Sequence, residues 1–125
     1  MKIIILLLSL LYTQLFAFSS DVKQAFAVAI YDEKGKGENI QHIKKTNNDY
    51  NGTCFTKIYI RGDFFNQKPR VFIGNSLGHY ESSKPVFNKK ILIGKILIFK
   101  HYGVEQGVLK VYFGKKLFDA RVYVK

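Results

Sequence analysis

Few side chains in this sequence have a type and spacing that could do chemistry. Cys54 is the only thiol in 125 residues. It belongs to Cys54 to Arg61 (CFTKIYIR), whose alternate residues read as buried, so an inert core cysteine is expected; the alternative for an odd thiol outside the cytoplasm is a bond to another chain. His42, His79 and His101 show no i, i+2 or i, i+4 relation to one another and no ligand run surrounds them, so no metal site is expected. Ser76, Ser82 and Ser83 lack a Gly-x-Ser-x-Gly elbow and a recognisable base. Glu81, Glu105 and Asp119 lie in separate segments, which argues against a catalytic carboxylate pair. Gly35-Lys36-Gly37 falls between expected strands rather than ahead of a helix, so it reads as a turn and not a phosphate cradle. Arg61-Gly62-Asp63 spells an integrin-type tripeptide, and Asn51-Gly52-Thr53 an N-glycosylation acceptor in a host that has that pathway. A strand end and a turn explain both equally well. Neither an enzyme nor a cofactor is expected.

What the sequence does offer is charge. It carries 20 Lys and Arg against 9 Asp and Glu. Residues 20–63 hold 7 basic and 6 acidic groups, whereas residues 64–125 hold 12 and 3, so +9 of the charge lies in the second half. Such a field favours anionic partners: envelope lipids, polyanionic glycans or an acidic protein. The excess of Lys over only three Arg, with no Trp, is also what an AT-rich genome produces without selection for binding. The candidate anionic-surface residues are Lys89, Lys90, Lys110, Lys115, Lys116 and Arg121, with Lys95 and Lys100 in the same half. The Lys115-Lys116 tip of an expected hairpin and the Lys89-Lys90 pair should be the most exposed.

Residues 1–19 read as a cleaved secretory leader. Lys2 is the positive n-region, Ile3 to Leu11 an apolar run broken by Ser9, and Ala17-Phe18-Ser19 a small-residue cleavage site before Ser20, with cleavage after Ala17 as the near alternative. The apolar run is shorter than the roughly 20 residues a spanning helix needs. The mature chain, residues 20–125, is expected to be one domain, secreted or periplasmic, with no transmembrane segment. No nucleic-acid partner is expected for an exported chain.

The elements that must position these residues read as strands. Gln24 to Tyr31 alternates Phe26, Val28 and Ile30 against alanines, and Cys54 to Arg61 sets Cys54, Thr56, Ile58 and Ile60 on one side. Arg70 to Ile73 is a short strand. Residues 75–88 read as a long polar connection holding Pro85. Ile91 to Phe99 (ILIGKILIF), apolar on both faces, reads as a central strand. Val108 to Phe113 and Phe118 to Val124 form a hairpin around Gly114-Lys115-Lys116-Leu117, with Leu109, Val111, Phe113, Phe118, Ala120, Val122 and Val124 toward the core. Asn39 to Lys45 fits either a strand or one helical turn. About seven short strands in one domain point to an all-β sandwich.

Ile58-x-Ile60-x-Gly62-x-Phe64, then Pro69-x-Val71-x-Ile73-Gly74, with Gly52 ahead of the strand and Gly107-Val108-x-x-Val111 before a closing hairpin, resembles the IPT/TIG immunoglobulin-like domains over Gly52 to Val124. The residues before Gly52 lack that family's proline-bearing first strand, and the stretch from Gly74 to Gly107 is long for it. The resemblance implies an immunoglobulin-like β-sandwich that serves as a binding or spacer module, without chemistry of its own. The leading expectation is an exported, non-catalytic module that contacts another envelope or surface protein through a sheet face or strand edge, using Tyr59, Tyr112 and Tyr123. The alternative is a basic binder of anionic envelope glycans or lipids. Clustering of the lysines at one place favours the second, and scattering favours the first.

Overall fold

The computed structural model describes residues 22–62 and 68–125. The leader over residues 1–19 and its cleavage site lie outside the described residues, as do Asp63 of the tripeptide and Phe64 of the immunoglobulin-like signature. The described chain is all-β: β1 (Val22–Asp32), β2 (Gly37–Asn39), β3 (Gly52–Gly62), β4 (Arg70–Ile73), β5 (Ser76–Leu77), β6 (His79–Asn88), β7 (Ile91–Val104), β8 (Gly107–Phe113) and β9 (Lys116–Val124). These form a five-stranded antiparallel sheet, ordered β2-β1-β3-β7-β6, and a four-stranded one, ordered β5-β4-β8-β9. The sheets pack face to face, with Ile58, Ile60, Leu97 and Phe99 from the first meeting Val71, Ile73, Leu109, Val111, Val122 and Val124 from the second. Each such side chain contributes about 2 kcal/mol of transfer free energy. Residues 40–51, with no helix, cover one end of this core with Ile40 and Tyr50. There Glu38 holds the chain in place, accepting bonds from the amides of Asn47 and Asn48 and from the Tyr50 hydroxyl at 2.8–3.0 Å.

The two-residue alternation of β3 is realised as read, with Cys54, Thr56, Ile58 and Ile60 all buried. In β1 it is not. Ala25 and Ala27 face the core, Phe26 and Val28 are half-buried, and a bulge between Ala27 and Ala29 switches the phase so that Ile30 returns inward. The alanines suit this side because their small side chains let the second sheet come close. β9 departs likewise. Register shifts around Val111 place Asp119, not Ala120, toward the interior, and Ala120 is exposed. Both departures have one physical cause: an extra residue in a bulge inverts every later side chain, and periodicity cannot register it.

The larger correction concerns residues 75–88, expected as a polar connection. They form β5 and the ten-residue edge strand β6. The four-stranded sheet lies over β1 and β7 and stops short of β6, so β6 is exposed on both faces and has no apolar alternation to read. Pro85 is tolerated because an edge strand has one row of amides without ladder partners. β7 is therefore next to the edge rather than central.

Candidate functional site

His101, directly opposite Cys54 across the β3–β7 ladder, is a strongly perturbed titratable group. Its Nε2 accepts from the Thr56 hydroxyl at 2.9 Å, and its Nδ1 lies 3.3 Å from the Ser76 carbonyl, to which it donates. Burial pushes its pKa down to about 4, against a partial lift from the Ser76 carbonyl and with His79 adding to the depression. Gly78 passes directly over the ring: a Cβ there would stand 2.7 Å from Cε1. The imidazole is thus a neutral core group that ties β5 to β7. The Ser76 hydroxyl, close by, donates to the Tyr102 carbonyl at 2.7 Å instead of facing a base. His42 and His79 are exposed, His79 against the Tyr102 ring, and no three His, Cys, Asp or Glu side chains converge on a possible metal position among the described residues. Cys54 is fully buried, and burial pushes its thiol up to about 12.

Arg121, expected on the anionic-binding surface, is committed to the fold. Its Nε donates to Asp119 Oδ1 at 2.8 Å and its Nη2 to Oδ2 at 2.9 Å, while Nη1 and Nη2 reach the carbonyls of Gln41 and Ala27. Asp119 Oδ2 accepts from the Ala27 amide at 2.9 Å. β2 pairs only with Ala29 to Tyr31 of β1, so Ala27 lies where β1 would be a bare edge. The Asp119–Arg121 pair fills that place and joins the two sheets. The tyrosines proposed for a protein contact are not brought together. Tyr59 packs on Phe26, with ring centres 5.3 Å apart, on the five-stranded sheet; Tyr112 and Tyr123 belong to the four-stranded one.

The lysines fare differently. β7 ends at the turn into β8, and β8 runs back along the second sheet, so the β6–β7 turn and the β8–β9 turn lie at the same end of the sandwich. The end of β3 (Gly62) and the start of β4 (Arg70) lie there too, because Val22 pairs with Gly62 and Arg70 with Tyr112. That end carries Lys89, Lys90, Lys115 and Lys116, all exposed, while Lys84 stands back along β6 opposite Ile96 and Lys68 turns its ammonium to 3.8 Å from the centre of the Tyr80 ring, farther back still. No described acidic residue lies there. Asp32, Glu33, Glu38, Asp49 and Glu105 are all at the opposite end, where Asp32 pairs with Cys54 and Gly52 with Val104. Lys110 stands apart, exposed on the outer side of β8 opposite Phe72.

From this end projects an arm. The β3 ladder on β7 stops at Ile60–Lys95, while β6 and β7 continue as a pair to Asn88–Ile91. Gly94 marks its base: a Cβ there would collide with the Ile60 carbonyl and lie 3.0 Å from the Tyr59 ring. Beyond it, Phe87, Ile91 and Leu92 are 58%, 67% and 55% exposed, and Ile93 is exposed as well. Phe87 stands opposite Leu92 and Asn88 opposite Ile91, so apolar side chains emerge on both faces of the ribbon. The turn is a two-residue one in which Lys89 and Lys90 hold φ of 50° and 70°. The apolar run that read as a core strand is therefore core only from Gly94 onward, with Leu97 and Phe99 buried. Its first three residues form an exposed arm. The exposure of Lys89-Lys90 was legible, but the hairpin turn they form and the bareness of Ile91 to Ile93 were not.

Comparison with protein families, with curated proteins and with solved structures finds no match to this chain.

Proposed function

We propose that the chain is an exported, non-catalytic immunoglobulin-like module that binds an anionic partner through the arm-bearing end of its sandwich. The observation that carries this reading is the charge distribution: Lys89, Lys90, Lys115 and Lys116, from two separate turns, share one end with no described acidic neighbour. Positive charge gathered in one place raises the local potential, whereas scattered lysines at the same net charge would not. The strand orders support the immunoglobulin-like part. β1-β3-β7-β6 and β5-β4-β8-β9 follow the A-B-E-D and C′-C-F-G orders of such sandwiches, with β2 added at one edge. The resemblance to IPT/TIG domains points the same way, and the leader motif supports a position outside the cytoplasm, secreted or periplasmic.

One observation favours a second reading, in which the partner is another envelope protein. β6 offers a ten-residue open edge to which an extended segment could add as a further strand. A pull-down from host envelope material with residues 20–125, washed at low and then high salt, separates the two. Release by salt, and loss of low-salt binding in a Lys115→Glu/Lys116→Glu variant, is the result expected for the basic end. A defined protein retained at high salt would favour the edge.

A further inference from the structure

We propose that the β6–β7 arm seats its tip in a lipid bilayer with anionic headgroups, with Phe87, Ile91 and Leu92 entering the interface and Lys89 and Lys90 contacting lipid phosphates. This rests on the basic-end reading and names the class of its partner.

Three features of the arm converge on a bilayer. Phe87 and Leu92 point to one face of the ribbon and Ile91 to the other. A flat protein surface would cover one face and leave the other wet, whereas the acyl–headgroup boundary surrounds whatever enters it. The reach also fits: three residues beyond Gly94 at about 3.3 Å each give about 10 Å, the depth at which interfacial segments bury their apolar side chains. The charge fits as well, because lysines flanking an apolar tip are attracted to anionic headgroups while their aliphatic stems stay in the interface. A second copy of this chain docking tip to tip would bring the two lysine-bearing ends together at a repulsive cost.

The turn supplies an independent argument. Two-residue hairpin turns with positive φ at both central positions favour Asn-Gly, and Lys in both is a strained choice. Strain maintained at an exposed tip fits a functional demand for those two side chains.

Because the chain contains no Trp, Leu92→Trp in residues 20–125 is a single-site reporter at the arm. With vesicles of phosphatidylcholine and phosphatidylglycerol, its emission should shift to the blue and be quenched by chain-brominated lipid; with phosphatidylcholine alone neither should occur. Lys89→Glu/Lys90→Glu should lower the partition at least about tenfold. Phe87→Ser/Ile91→Ser should abolish quenching of the reporter by brominated lipid. Vesicle binding with the reporter still in water would overturn insertion but leave the basic end as the binding surface. Binding to a sulfated polysaccharide and not to vesicles would do the same. Capture of a protein that survives high salt and is lost in Phe87→Ser/Ile91→Ser would overturn it in favour of a protein partner. Failure to bind any anion would overturn both readings.

Discussion

At the residue scale, polar groups inside the sandwich are structural, and each makes a measurable prediction. His101 has a folded-state pKa near 4 against about 6.5 in the unfolded chain. The unfolded state therefore binds the proton first. The corresponding stability is complete above pH 6.5 and is lost as pH falls toward 4, by a total on the order of 3 kcal/mol. Urea unfolding followed over that range should show the loss, and His101→Gln, though less stable at neutral pH, should flatten the slope. The Glu38 carboxyl acts in the same sense at lower pH. Burial works to raise it, but bonds from Asn47, Tyr50 and Asn48 outweigh that and hold it below the usual carboxylate range. Removing the Arg121 side chain strips a charge partner from buried Asp119, and Arg121→Ala should cost about 2–3 kcal/mol. Asp119→Ala/Arg121→Ala should cost less than the two single changes summed, which a double-mutant cycle in urea would read. Cys54 should resist thiol reagents in the folded protein and react only in denaturant, since its thiol is both buried and far from ionised at neutral pH.

At the element scale, the arm should trade stability for binding. Lys89→Asn/Lys90→Gly gives the turn the residues its backbone prefers, so thermal stability should rise by an amount worth about 1–2 kcal/mol while affinity for anionic vesicles falls. A variant that gains stability and keeps its affinity would show that the lysines serve neither. The same scale explains what could be read from the sequence. β3, β4 and β8 were legible because each has one buried and one solvated face, which period-two alternation records. β6 was not, because neither of its faces is buried. β1 and β9 were legible as strands but not in phase, because bulges invert their faces partway along. Ile91 to Ile93 misled for a different reason: an apolar run on both faces describes a central strand and a bare arm equally well, and only the extent of the β3 ladder tells them apart.

At the scale of the whole molecule, the candidate site was half legible. The lysines and the Lys115-Lys116 turn could be named, but whether they met depended on strand neighbours that sequence does not give. The sandwich brings Lys89-Lys90 and Lys115-Lys116 to one end, leaves Lys110 on the side of a sheet and spends Arg121 on the fold. Five of the described acids, Asp32, Glu33, Glu38, Asp49 and Glu105, gather at the far end, so the molecule carries its charge with a direction, and a binder of anionic surfaces would approach arm first. The most direct test of this account is the salt dependence of binding to host envelope material, measured for residues 20–125 and for Lys89→Glu/Lys90→Glu/Lys115→Glu/Lys116→Glu. The account predicts that wild-type affinity falls steeply with salt and that the variant binds weakly with a shallow salt dependence. Equal affinity of the two proteins, retained at high salt, would contradict it.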